Sequence, residues 1–180
     1  FHIAASGPLG ASFADLRLMT NLTDKQLDAT LQNLMSARTI VQVDTVHVSL
    51  FSRLTFKHFT ACDVFTRWQV LEAHGRATAH AAAGFLDTIV ARMPFPVRAI
   101  QVDGGSEFMA EFEEACRQRG IHLFVLPPRS PKLNGHVERS NRTHREEFYC
   151  RLPHTDTLAQ ANRLLRKGED IHNTYRPHQA

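Results

Sequence analysis

The sequence predicts an α/β domain, a mixed five-stranded sheet with helices on its faces. Three observations carry that prediction. Short β-branched runs alternate with stretches of helical period, which is the pattern of a layered sheet and helices. Three of the strands follow one another directly, as a meander. A short, mostly apolar run, Val97–Val102, comes just before Gly104-Gly105, as expected of a central strand buried on both faces.

The elements are taken in chain order. Thr39–Leu50 is rich in Val and Thr and reads as the first strand. Leu54–Asp63 and Thr66–Ala73 complete the meander. Ala77–Arg92 is Ala-rich, with Phe85, Ile89 and Val90 in helical period, and stops before Pro94. Val97–Val102 is the fourth strand. Ser106 is the expected N-cap of a helix over Phe108–Arg119, closed by Gly120. Ile121–Leu126 is the fifth strand, stopped by Pro127-Pro128, and two helices come after it, near Asn134–Cys150 and Leu158–Asn173.

Residues 1–38 form a separate N-terminal segment. Residues 12–37 suggest two helices around Asn21-Leu22-Thr23, with Thr23 and Gln26 as a capping box and Leu27, Leu31 and Leu34 as an apolar stripe. A helix-turn-helix remnant and a helical hairpin packed on the core both fit. Lys25 is the lone cation among the polar candidates of the second helix and Asp24 and Asp28 would repel phosphate. The expectation is therefore packing, with little DNA affinity.

Composition narrows the class. Of the 180 residues 43% are hydrophobic, enough for a core, yet no apolar run is long enough for a membrane span. Three scattered cysteines suit neither a disulfide framework nor a zinc site, so a reducing, cytoplasmic setting is expected, and no secretory signal is evident. The chain opens on Phe1, which suggests a piece of something longer. A net charge of +3 permits nucleic-acid binding without requiring it.

Three acids stand where a carboxylate is costly or its geometry special. Asp44 interrupts a β-branched strand, Asp103 ends an apolar one, and Glu138 lies in a helix entered through Asn134-Gly135. Carboxylates that converge repel and raise each other's pKa, and a hard divalent cation with oxygen ligands relieves that conflict. Taken singly, each Asp also fits a turn or strand-end residue and Glu138 a solvated helix position.

Several segments, in order, bear on the choice. They are Val43-Asp44-Thr45, Asp63 to Trp68 (DVFTRW), Gln101 to Phe108 (QVDGGSEF), Pro128 to Thr143 (PRSPKLNGHVERSNRT), and Asn173 to His178 (NTYRPH). With them residues 39–180 resemble the catalytic core of the transposase and retroviral integrase superfamily, particularly bacterial insertion-sequence transposases. The resemblance implies an RNase H-like fold, a mixed five-stranded sheet with helices on both faces. It implies a site of Asp44, Asp103 and Glu138 holding two Mg²⁺ or Mn²⁺ ions, with DNA as partner and a homo-oligomer that pairs two DNA ends. It also implies a nucleoid-associated bacterial protein. Asp63 is a rival for the first acid; in the family its segment is the second strand and turn, so Asp63 is expected to bond locally. Gly104 stands where the family usually has Asn, which removes a side-chain amide but no metal ligand.

Lys132, Arg139, Arg142 and Arg145 surround the third acid, and Arg142 and Arg145 share the helical face of Glu138. Such a row suits contacts to DNA backbone, which position without reading sequence; a solvated face balanced by Glu146 and Glu147 is the plainer account. Trp68 is expected to pack on the sheet, and His172 and His178 to be structural. Competing functions are an RNase H-like nuclease that only hydrolyses and a DNA-binding scaffold without catalysis.

Overall fold

In a computed structural model residues 40–126, 135–149 and 155–175 are described. The N-terminal segment 1–38, Lys132 and His178 lie outside them.

Strands β1 (Ile40–Ser49), β2 (Thr55–Asp63) and β3 (Gln69–His74) form the meander, succeeded by helix α1 (Ala79–Arg92), β4 (Ala99–Val102), α2 (Glu111–Gln118), β5 (His122–Val125), α3 (Gly135–Thr143) and α4 (Leu158–Tyr175). The sheet has the order β3-β2-β1-β4-β5. β1 runs antiparallel to β2 and parallel to β4, which makes the sheet mixed, as the alternation of elements predicts. Among the described residues no helix is long and apolar enough to cross a membrane.

Because side chains alternate along a strand, β1 presents two unlike faces. Val41 and Val43 join Phe59, Ala61, Val70, Ile100 and Val102 under α1 and α2, whose Phe85, Ile89, Phe112 and Cys116 complete an apolar core. The opposite face meets α3 and α4. A smaller apolar cluster there, Val48, Phe56, Leu71 and Ala73, packs on Ala161 and Leu165 of α4. Alongside Ile40, Val46 and Ala99, that face also buries a group of polar side chains: Gln42, His58, Thr60, Gln69 and Gln101.

Helix α4 also covers the outer edge of β3, where unpaired backbone groups would otherwise invite another strand. Asn162 bonds both N–H and C=O of Ala73, Asn173 bonds both of Gln69, and the N–H of Leu71 donates to Glu169. Glu169 is buried and paired with Arg92 and Arg166. This accounts for a polar residue on a buried helix face that periodicity alone would leave unexplained.

Two expectations need correction. Ser106 does not cap a helix over Phe108–Arg119. Ser106–Phe108 is a 3₁₀ turn, Ala110 has a positive φ of 49°, and α2 starts only at Glu111. The four-residue spacing of Phe108, Phe112 and Cys116 imitates one helix, but Phe108 reaches the core from the turn and packs edge-on against Phe112. The third strand begins at Gln69 rather than Thr66, because Asp63–Trp68 is a turn, with Arg67 at a φ of 65°. Trp68 packs against the apolar core, as expected.

Candidate active site

The register of β1 fixes the first acid. Asp44 lies opposite Thr60 of β2. On the other side Val43 pairs with Val102 of the parallel strand β4, so Asp44 and Asp103 stand one step beyond, side by side. The peptide N–H of Thr45 donates to Asp44 Oδ1 at 2.8 Å, and the Asn141 amide donates to Oδ2 at 2.7 Å. Burial raises the Asp44 pKa to about 6, and the charges of Asp103 and Glu138 push the same way against those two hydrogen bonds.

Asp103 is exposed, at the start of the loop after β4. Its Oδ1 accepts from the Gly105 N–H at 3.1 Å. A Cβ on Gly105 would come within 3.0 Å of that oxygen and 2.8 Å of a Glu107 carboxylate oxygen, so glycine is what lets the loop fold back on Asp103. A Cβ on Gly104 meets open space.

Glu138 sits in the first turn of α3, where a carboxylate is favoured by the helix dipole. The helix is pinned at that end by the sheet. Gln42 Oε1 accepts the N–H groups of His136 and Val137, at 3.1 and 3.2 Å, which are two of the donors a helix start leaves without partners. Gln42 and Asp44 point to the same face of β1, so one strand anchors the helix and presents the first acid. The Arg67 guanidinium donates to Val64 O and meets His136 Nδ1. Burial, with Arg67 and Arg139 near, lowers the His136 pKa to about 4, so its ring is a neutral acceptor. His172 bonds the Arg67 carbonyl at 3.2 Å, the structural part expected of it.

Asp63 is elsewhere. It pairs with Val41, and its Oδ2 accepts from Phe65 N, Thr66 N and the Thr66 hydroxyl at 3.1, 2.6 and 2.8 Å. It is a turn cap, as its segment suggested.

A groove of about 530 Å³ is lined by Asp44, Gly135, Glu138, Arg139, Asn141, Arg142 and Arg145. It brings two of the acids together with three arginines. Arg142 is engaged by Glu146 at 2.8 Å, an exposed i,i+4 pair of the sort that contributes little to stability and can be exchanged for another anion. Among the described residues no three His, Cys, Asp or Glu side chains stand close enough to hold a metal ion as they are. The donor set nevertheless fits a hard cation: all oxygen, with Asp44 already held at a raised proton affinity by burial and its two neighbours. The residues that sequence reasoning missed are Gln42, Thr60 and Asn141. Their signal was weak, polar residues at buried strand and helix positions, which only the register turns into contacts.

Comparison with known proteins agrees with the geometry. A family described as integrase core domain matches residues 36–131, more than half of the chain, and a second of the same description matches residues 119–180. Curated proteins give no match. Among solved structures, a chain of the simian T-cell lymphotropic virus intasome in complex with PP2A regulatory subunit B56 gamma is 21% identical, with a TM-score of 0.64 over 79% of this chain and 50% of that one. The catalytic core domain of BIV integrase is 19% identical, with a TM-score of 0.63 over 79% of this chain and 88% of that one. Both likenesses are of fold. The chain spans half the length of the intasome chain it matches.

Proposed function

The chain belongs to the integrase core domain family, and on that premise we propose that it is the catalytic core of a DNA transposase, nicking element ends and joining them to target DNA. The observation that carries the proposal is the placement of Asp44: it lines one groove with Glu138, and the register of β1 with β4 sets it beside the strand end from which Asp103 follows. In this reading Asp44, Asp103 and Glu138 are the catalytic residues and hold two Mg²⁺ or Mn²⁺ ions. When bound, such a pair neutralises phosphate charge and activates an attacking oxygen.

The side chains themselves orient and position. Asp44, which lines the groove with Glu138 and follows the pairing of Val43 with Val102 that leads to Asp103, would be one ligand of the metal pair. Glu138 rides on a helix whose start is tied to the same strand through Gln42. Arg139, Arg142 and Arg145 along the groove, with Lys132, would hold DNA phosphates in line. The nucleophile is water in the first step and the freed 3′-hydroxyl in the second. Each displaces a 3′ oxygen from phosphorus, so no covalent protein–DNA bond forms and no Ser or Tyr nucleophile is required. A homo-oligomer pairing two ends fits the proposal; the intasome likeness supports it by analogy of fold.

The test is a gel assay with pre-nicked element ends, Mn²⁺ and target DNA. Joined products are expected from wild type and none from Asp44→Asn, Asp103→Asn or Glu138→Gln. Shortened strands without joining would mean a nuclease. In rising salt, Arg139→Ala and Arg145→Ala should each reduce the log–log slope of DNA affinity by about one; unchanged slopes would return them to a solvated face.

A further inference from the structure

The Asp44 carboxylate is the end point of a chain of buried polar side chains. An ionised carboxylate only accepts hydrogen bonds. The group at 2.7 Å from its Oδ2 must therefore be the Asn141 Nδ2, a donor. That orientation leaves Asn141 Oδ1 as an acceptor, and the Thr60 hydroxyl supplies a donor at 2.7 Å. With its proton so used, Thr60 Oγ1 accepts from His58 Nε2, at 3.4 Å the longest link. His58 is fully buried with His144 beside it, which drives its pKa well down and keeps a single proton on the ring. That proton lies on Nε2, so Nδ1 accepts from the Tyr149 hydroxyl at 2.5 Å. Each member donates toward Asp44, and such aligned chains strengthen one another.

Two features show that the arrangement is more than core filling. Thr60 is the register partner of Asp44 and is wholly buried, where a Val of the same shape would pack without needing partners. Helix α3 also departs from α geometry at this place. Residues His144–Phe148 form a π turn, whose extra residue rotates the downstream side chains by about 100°. Tyr149 comes directly after it and meets His58, while His144 in the turn meets Gln69 at 3.0 Å.

We propose that Asn141, locked in one amide orientation by Thr60, is the positioning residue of Asp44, and that the chain from Tyr149 through His58 and Thr60 sets this carboxylate's direction for a divalent cation. The proposal rests on the reading of Asp44 as a metal ligand. Without the Thr60 donor Asn141 Oδ1 loses its partner, so the amide is held only at its Asp44 end and can swing, carrying the carboxylate out of its direction.

The experiment uses the full chain with Thr60→Val, Thr60→Ser, Tyr149→Phe and Asp44→Asn. Mn²⁺ binding to the metal-free protein is monitored by electron paramagnetic resonance, the Mn²⁺ midpoint of strand transfer by gel, and folding by thermal melting. Thr60→Val should weaken Mn²⁺ binding and raise the midpoint about tenfold, the effect lying in the midpoint more than in the rate at saturating Mn²⁺. Thr60→Ser, which keeps the donor, should restore both. Tyr149→Phe, at the far end, should shift both in the same direction by a smaller factor, and decides the matter if Thr60→Val does not fold. A folded Thr60→Val with wild-type Mn²⁺ binding and midpoint overturns the proposal, as does an unshifted Tyr149→Phe should Thr60→Val be unfolded. If instead Asp44→Asn binds Mn²⁺ and joins strands as wild type does, the reading of Asp44 itself fails.

Discussion

Around residues 41–44 the two faces of β1 bury different chemistry. On one, Val41 and Val43 lie in a core whose buried members, among the described residues, carry no charged or hydrogen-bonding demand beyond the Cys116 thiol. On the other, one step along the same strand, Gln42 and Asp44 lie among His58, Thr60, Gln69 and Gln101 and beneath Ser140, Asn141 and His144 of the helical layer. Apolar burial is indifferent to direction, whereas a buried polar group must meet its partner at the right distance and angle or cost a few kcal/mol. The first face can thus supply stability with tolerance to repacking. The second gives up some of that tolerance and fixes where a carboxylate and a helix start must be. The difference assigns stability to one side of the sheet and the candidate chemistry to the other.

The largest expected effect breaks the apolar face. Phe85 is fully buried and packs on Phe59 with ring centroids 5.4 Å apart. Phe85→Ala should cost about 3–5 kcal/mol by urea unfolding, through lost burial and the cavity left behind. That is a large part of the ~5–15 kcal/mol that domains have. A loss under about 1 kcal/mol would mean that this face does not carry the stability assigned to it.

The polar face should answer with the opposite sign. Burial and like charge raise the Asp44 pKa to about 6, above its usual value near 3.9. The protonated form is the one the fold prefers, so this group's contribution is present below about pH 4 and is lost as pH rises through 6. In EDTA the wild type should lose stability across that window. Asp44→Asn should lose less there, and near pH 7.5 it should melt at or above wild type, by an amount on the order of 1 kcal/mol. Added Mg²⁺ should stabilise the wild type and not the variant. A variant that melts well below wild type in EDTA would show that Asp44 is structural.

This asymmetry also explains what could be read from the sequence. The order of elements was legible because apolar periodicity and glycine or proline stops are local signals, and the apolar core is made of those same residues. The turn at Ser106–Ala110 was not, since Phe108, Phe112 and Cys116 keep a helical spacing that the backbone does not obey. The acids stood out through segments resembling a known family. The side chains that hold them did not: Gln42 reaches His136 and Val137, and Thr60 reaches Asn141, across more than 80 positions. Those contacts exist only once strand register and helix docking are set. Likewise Asn162, Glu169 and Asn173 look like a solvated polar stripe until they are found against the edge of β3.

The smallest expected effect sharpens the comparison within the site itself, at two adjacent glycines. Gly104 stands where the resembled family has Asn, and a Cβ there would enter open space, with no left-handed φ to forbid a side chain. Gly104→Asn should therefore change stability by no more than about 0.5 kcal/mol, as exposed substitutions usually do. Gly105 is the reverse case. A Cβ would press on Glu107 and on Asp103 Oδ1, and although Glu107 can swing away, Asp103 cannot yield without leaving its bond to the Gly105 N–H. Gly105→Ala should fold nearly as well as wild type, since the loop is exposed, yet join DNA strands more slowly because the second acid is displaced. The pair is measured by melting and by the pre-nicked joining assay. Equal activities of Gly104→Asn and Gly105→Ala would show that the direction of the Asp103 carboxylate does not matter to the reaction, and would weaken the case for Asp103 more than for Asp44.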